Sequence, residues 1–283
     1  MYNSDKNWDL VIDSKKRYFE LKLDKVWNYR DLLVLLIRRD VVSFYKQTIF
    51  GALWFFIQPI FTTITFTIVF GRLAGISTDG LPPVLFYLVG ITCWSYFSET
   101  LIKNSTVFRD NAGIFGKVYF PRVIMPLSIV FSSMIKLGVQ LFLLIIVLLY
   151  YNFTSNFFYP SFFIFLFPVV IIIMAGLSLG VGLLVSAMTT KYRDLAFLFT
   201  FIIQLLMYAT PVIYPLSSIA EENQWIVLIN PMTQVIELAR LGLIGKGYFS
   251  LLSFGYTIVV TLLIMLLGIL IFNKSEKNFV DTI

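Results

Sequence analysis

The sequence has no histidine, one cysteine and little charge: Asp, Glu, Lys and Arg make up 13% of its 283 residues. Without histidine, the commonest metal ligand and the commonest general base at neutral pH are missing. Cys93 alone forms neither an internal disulfide nor a cysteine-ligated cluster. There is no Gly-x-x-x-x-Gly-Lys-Ser/Thr phosphate loop. The nearest string, Gly242-Leu-Ile-Gly245-Lys246-Gly247, has neither the spacing nor the hydroxyl. No Ser–His–Asp set, metal-binding string or paired catalytic carboxylate stands in the apolar stretches. These absences argue against a membrane glycosyltransferase or acyltransferase, which would need a catalytic base. They leave no catalytic site, cofactor or metal to expect in this chain, and any ATPase that drives it must be another polypeptide.

Low charge also bears on the solvent. Soluble domains carry about 25% charged residues, and 58% of this chain is hydrophobic. Such a surface suits lipid, where every backbone group must be satisfied inside a helix or a closed barrel. A spanning helix needs about 20 apolar residues. Six stretches qualify, near 49–70, 84–102, 123–150, 162–187, 195–214 and 250–272. A seventh, 225–245, contains Asn230-Pro231, Gln234, Glu237 and Arg240. Charge at the bilayer centre is costly, so 215–249 reads as a re-entrant segment. The expected fold is an all-α integral membrane protein of six spans, with an interfacial helix at 25–47 and short re-entrant helices before the last span. Residues 25–283 form one transmembrane domain, and 1–24 a polar extension without a legible role. No secretory signal is visible near Met1.

Basic residues set the orientation. Eighteen of the 22 Lys and Arg fall in 1–48, 103–122, 188–194 and the tail from 273. The opposite loops hold only Arg72, Arg240 and Lys246. Both termini are therefore expected in the cytoplasm. The basic excess reads as membrane topology, and no nucleic-acid partner is expected.

Three segments carry candidate functional residues. In 25–47, Trp27, Leu32, Leu35 and Leu36 fall near one helical face, with Arg30, Asp31, Arg38, Arg39 and Asp40 on polar turns. This suits a helix lying in the interface, either as an anchor or as a docking surface. The 103–122 loop has two glycines, mixed charge and the aromatics Tyr119 and Phe120, read as exposed; Pro121 suits a helix start. The third feature is a pair of stripes at three- and four-residue spacing: Phe55, Gln58, Thr62, Thr65 and Phe66 in the first span, Thr200, Gln204, Tyr208 and Pro211 in the fifth. Amides and hydroxyls interleaved with rings suit a sugar chain; helix–helix hydrogen bonding is the alternative. Gly176-x-x-x-Gly180, followed by Gly182 and Ser186, reads as close helix packing. Glu237 and Arg240 are spaced to satisfy each other. Lys136, near mid-membrane, faces a pathway, pairs with a carboxylate or snorkels.

Several strings together resemble the permease subunits of bacterial ABC exporters for O-antigen, teichoic acid and capsular polysaccharide. They are Tyr29-Arg30-Asp31-Leu32, Arg38-Arg39-Asp40, Tyr45-Lys46-Gln47, Gly51-x-Leu53-Trp54 and Gln58-Pro59. Further along come Lys117-Val118-Tyr119-Phe120-Pro121-Arg122, Tyr192-Arg193-Asp194, Thr210-Pro211-Val212-Ile213-Tyr214-Pro215 and Asn230-Pro231-Met232. Their order holds from about residue 28 to the C-terminus. The resemblance implies a homodimer in the bacterial inner membrane with a channel between subunits. It implies two separate ATPase subunits that bind ATP and magnesium, and a polyprenyl-linked glycan as cargo. It gives Arg30, Asp31, Arg38, Arg39, Asp40, Arg109, Asp110, Lys117, Tyr119, Phe120 and Arg122 a coupling role against the ATPase. The channel stripe is then Phe55, Gln58, Thr62, Phe66, Thr200, Gln204 and Tyr208. Pro211, Tyr214, Pro215, Asn230 and Pro231 would shape the outer exit. Lys136 departs from the pattern, in which this position is commonly acidic or neutral. A permease of the same architecture exporting a drug or small amphiphile is the nearest rival, and a stand-alone channel or flippase without an ATPase is a further one.

Overall fold

The computed structural model describes residues 23–46, 48–115, 120–155 and 161–280. Twelve α-helices follow in order among these residues. Short α1 (Leu23–Asn28) leads into α2 (Arg30–Tyr45), within the segment expected to lie in the interface. The first span runs Gly51–Leu73, with α3 (Trp54–Phe66) at its centre and a wider π-helical turn over Thr67–Leu73. Next come α4 (Pro83–Ser105), two short turns α5 (Val107–Asp110) and α6 (Ala112–Phe115), and α7 (Ile124–Ser155). Then follow α8 (Phe167–Thr189), α9 (Leu195–Ala209), α10 (Gln224–Leu228), α11 (Pro231–Ile244) and α12 (Leu251–Val280).

Five helical segments among the described residues are long and apolar enough to cross a bilayer: Gly51–Leu73, Pro83–Ser105, Ile124–Thr154, Phe162–Thr189 and Leu251–Ser275. The expected fifth span, 195–214, is shorter than its hydropathy suggests. Helix α9 has 15 residues, about 22 Å against a hydrocarbon core of ~30 Å. Pro211 ends it. Proline disfavours helical backbone in the preceding residue, and Thr210 is extended at φ −100°, ψ 145°. Pro211 is therefore off the helical face shared by Thr200, Gln204 and Tyr208, a correction to the stripe.

The expected re-entrant segment is a bent pair: Glu221–Leu228 and Pro231–Ile244 meet at 106°. Asn230 caps α11, its side-chain oxygen accepting from the Met232 N–H at 3.0 Å, with Pro231 in the first turn, where its missing N–H costs nothing. Gly245, left-handed at φ 74°, closes the helix.

Helix α4 is the axis of the fold. It packs on α3, α7, α8, α9 and α11, and its Leu85, Phe86, Tyr87, Leu88 and Val89 are all fully buried. On the far side α8 packs against α12 through glycine. A Cβ on Gly180 would lie 2.8 Å from the Met265 nitrogen, and one on Gly176 2.8 Å from the Thr261 methyl. Gly182 faces the other way, onto Asn104 and the Leu101 carbonyl of α4. The small-residue run thus packs two helices, as its spacing suggests. A second cluster joins Leu36 of α2 to Phe108, Phe115, Phe120, Ile124, Leu183 and Phe272. Phe108 stacks on Phe272 at 4.5 Å, so α2, α5, α6, the start of α7 and the Phe272 turn of α12 meet at one end of the bundle.

Candidate functional site

Both striped helices lean on α4 from the rim of the bundle: α3 on α4 and α7, α9 on α4 and α8. On α3, Gln58 and Thr65 are exposed. Thr62 is half-buried, its hydroxyl donating to the Gln58 carbonyl at 2.9 Å. Phe55 and Phe66 turn inward: Phe55 is buried, and Phe66 packs edge-on against Tyr87 at 6.1 Å. The first stripe therefore presents an amide and hydroxyls without those two rings. On α9, Gln204 and Tyr208 are exposed, and Thr200 donates to the Ala196 carbonyl at 2.9 Å.

At the basic end, Arg30, Asp31, Arg38 and Arg39 are exposed along α2. Arg39 donates twice to Asp40 Oδ1, at 2.9 and 2.7 Å. In the connection between α4 and α7, Arg109 Nε donates to Asp110 at 2.9 Å and Thr106 to the other carboxylate oxygen at 2.6 Å. The Arg122 guanidinium lies over the Phe115 ring at 5.6 Å. Lys117 and Tyr119 lie outside the described residues. Phe120 corrects the expectation: it is buried, stacked on Phe115 at 5.8 Å. An apolar ring next to Leu36 and Ile124 gains more from that cluster than from water. Between α2 and this connection an open cleft of about 180 Å³ is lined by Arg39, Asp40, Ser43, Lys103, Asp110 and Asn111.

At the opposite end, the residues assigned to the exit converge. Asn230 Nδ2 donates to the Thr210 hydroxyl at 2.8 Å. Arg240, 1% exposed, donates to the Val212 carbonyl at 2.9 Å and to Glu237 at 3.1 Å, with its guanidinium 3.6 Å from the Phe86 ring centre. Glu237 also accepts from the Tyr248 N–H at 3.0 Å. The spacing of Glu237 and Arg240 is thus used as expected. Pro211 and Pro215 are buried in this knot, while Tyr214 and Pro231 are half-buried. On the surface, Asp79 accepts from Ser217 at 2.6 Å through its side chain and from Lys246 at 2.7 Å through its carbonyl.

The sequence reading missed Glu99. It lies inside α4, accepts from Lys103 at 2.8 Å, and takes the ammonium of Lys136 from α7. Of the three readings of Lys136, the carboxylate pairing is the one adopted. The missed signal was an acidic residue one turn inside the end of a span, four positions before a lysine.

A sequence model of the ABC-2 type transporter family matches residues 31–244. The chain is 26% identical to an O-antigen export system permease protein RfbA of Klebsiella pneumoniae over 255 residues, 89% of this chain and 94% of that one. It is 27% identical over 214 residues to the protein of the same name in Myxococcus xanthus, covering 75% of this chain and 80% of the relative. A polysialic acid transport protein KpsM of Escherichia coli is 22% identical over 251 residues, 86% of this chain and 92% of that one. With the family match spanning α2 to the end of α11, on a bundle of apolar helices closed by a bent pair, the chain belongs to the ABC-2 type transporter family.

Proposed function

We propose that this chain is the membrane subunit of an ATP-driven exporter of lipid-linked polysaccharide. The cargo is a polyprenyl-carried glycan of the O-antigen, capsule or teichoic acid kind. It moves from the cytoplasm across the bacterial inner membrane, with both termini of the chain cytoplasmic. Two copies form the channel, and two separate ATPase subunits bind ATP and magnesium. The near full-length similarity to permeases named for O-antigen and capsule-type export favours this cargo over a drug or small amphiphile.

One structural observation carries the reading: Gln58 and Thr65 on the first span, and Gln204 and Tyr208 on the apolar helix α9, are exposed away from the subunit's own core. Polar groups facing acyl chains find no partner there. A second subunit or a wet path for sugars gives them one. Exposed amides hydrogen-bond sugar hydroxyls, and the Tyr208 ring offers a flat face that holds a pyranose without fixing one register. ATP-driven closure of the ATPases would push α2 and the 106–123 connection, where the exposed Arg30, Arg38, Arg39 and Arg109 lie. The Thr210–Pro215 turn and α11 would border the exit.

The test is affinity purification from native membranes, with bound proteins and glycolipid identified by mass spectrometry. An ATPase subunit together with polyprenyl-linked glycan is the expected result. An ATPase without glycan would favour the amphiphile exporter, and neither partner from an intact complex would overturn the assignment.

A further inference from the structure

The contacts of Glu99 and Lys136 belong to a ladder. Ser95, Glu99 and Lys103 recur every four residues on α4, and Ser132, Lys136 and Gln140 every four on α7. The helices run antiparallel, and the rungs match in order. Ser95 donates to Gln140 Oε1 at 3.1 Å, Glu99 takes the Lys136 ammonium, and Lys103 and Ser132 both line the cleft beside Arg39 and Asp40 of α2. Each step of four up α4 is answered by a step of four down α7.

Such a ladder does more than hold two helices together. Apolar helices in lipid have little hydrophobic drive toward each other, so an apolar interface tolerates axial sliding. A neutral rung resists it weakly. A charged rung does not, because sliding by one turn parts Lys136 from Glu99 and strands the ammonium in a low-dielectric setting. Glu99 is moreover held twice, by Lys103 on its own helix and by Lys136 across the interface. The ladder also sits on a continuous chain of contacts: α2 packs on α7, α7 on α4, and α4 carries both striped helices.

We propose that Glu99 is a positioning residue that locks α4 and α7 in one axial register, so that displacement of α2 reaches α4 and the striped helices instead of being lost as slippage. This rests on the exporter reading and adds to it the route by which the ATPase stroke enters the membrane.

The test uses the full permease–ATPase complex in proteoliposomes, with Cys93→Ala as background. Single cysteines replacing Ser95 and Gln140, or residues one turn away, report register through a short bifunctional thiol reagent. Glycan exported per ATP hydrolysed reports coupling. Glu99→Gln is expected to leave ATP hydrolysis within about twofold and to lower export per ATP by about tenfold. Its cross-links should spread over neighbouring turns. The exchanged pair Glu99→Lys with Lys136→Glu, combined with Lys103→Gln to remove a like charge one turn away, is expected to regain both. Unchanged coupling and a single cross-link register in Glu99→Gln would overturn the proposal. If Glu99→Gln fails to assemble, the exchanged pair decides: assembled and coupled supports the lock, assembled and uncoupled overturns it. If the wild-type complex hydrolyses ATP without exporting glycan, the exporter reading fails instead. The cross-link pattern then judges the ladder alone, spreading in Glu99→Gln supporting it and an unchanged pattern overturning it.

Discussion

Helix α4 and the two helices that flank it are built to opposite standards. The most apolar stretch of α4 is 78% buried, whereas that of the first span is 11% buried, and α9 buries only Ala196 and Ile203. The buried axis encloses its polar groups: Phe86 lies against Arg240 of α11, Glu99 sits between two lysines, and the Thr92 and Thr100 hydroxyls are buried without a hydrogen-bond partner. The rim leaves Gln58, Gln204 and Tyr208 on the outside. Packing therefore concentrates on α4, and the residues proposed to meet cargo or a second subunit are those that take least part in it.

That contrast can be broken from either side. Arg240→Ala should have the largest effect, since it strands the Glu237 carboxylate and empties the space over Phe86. A loss of about 3–5 kcal/mol is expected, read as a collapse of the thermal unfolding temperature in detergent. Little change would mean that the buried pair is not what holds α11. Gly180→Val comes next. The added carbons meet the Met265 backbone, and overpacking of this kind costs roughly 1–3 kcal/mol. Thermal unfolding and the yield of folded protein are the readouts. Asn230→Ala removes the α11 cap and its bond to Thr210, for about 1 kcal/mol. Proteolysis in the 210–230 segment should rise with it. Gln204→Ala and Tyr208→Ala should change stability least, within about 0.5 kcal/mol, yet lower glycan export several-fold in an accumulation assay with the ATPase still bound. Wild-type export from both would remove the α9 stripe from the transport path.

The ion pairs sharpen the comparison further. Glu237–Arg240 lies within one helix and is sealed, its partners fixed by the Val212 carbonyl and the Tyr248 amide. Glu99–Lys136 joins two helices, and Lys103 and Ser132, one turn along, line the cleft. One pair holds a shape within a helix, and the other is the one proposed to hold two helices in register. Gly90 illustrates the first kind. A Cβ there would meet Arg240 Nη2 at 3.0 Å and the Val212 carbonyl at 3.1 Å, so even a methyl group would press on the pair.

Hydropathy, breakers and local spacing determined much of this molecule on their own. Long apolar runs located five spans and the bent 221–244 segment, because transfer into lipid is close to additive along the chain. Glycine spacing marked α8 as a close-packing helix, because only glycine lets two backbones approach that closely, but the structure named α12 and α4 as its partners. The three-residue offset located Glu237–Arg240, because one helix turn is a local distance. Other features needed the tertiary structure. Phe120 reads as an exposed docking ring and is buried, because its partners Leu36, Phe115 and Ile124 come together only when α2 folds under α7. Phe55 and Phe66 share a spacing with Gln58 but turn inward, because the position of Tyr87 on α4 decides which side of α3 is the inside. The 195–214 run is apolar throughout, yet Pro211 cuts it to 15 helical residues. Lys136 found its carboxylate 37 positions away. Periodicity along one helix cannot name the helix beside it, and the burial of a side chain is a property of the pair.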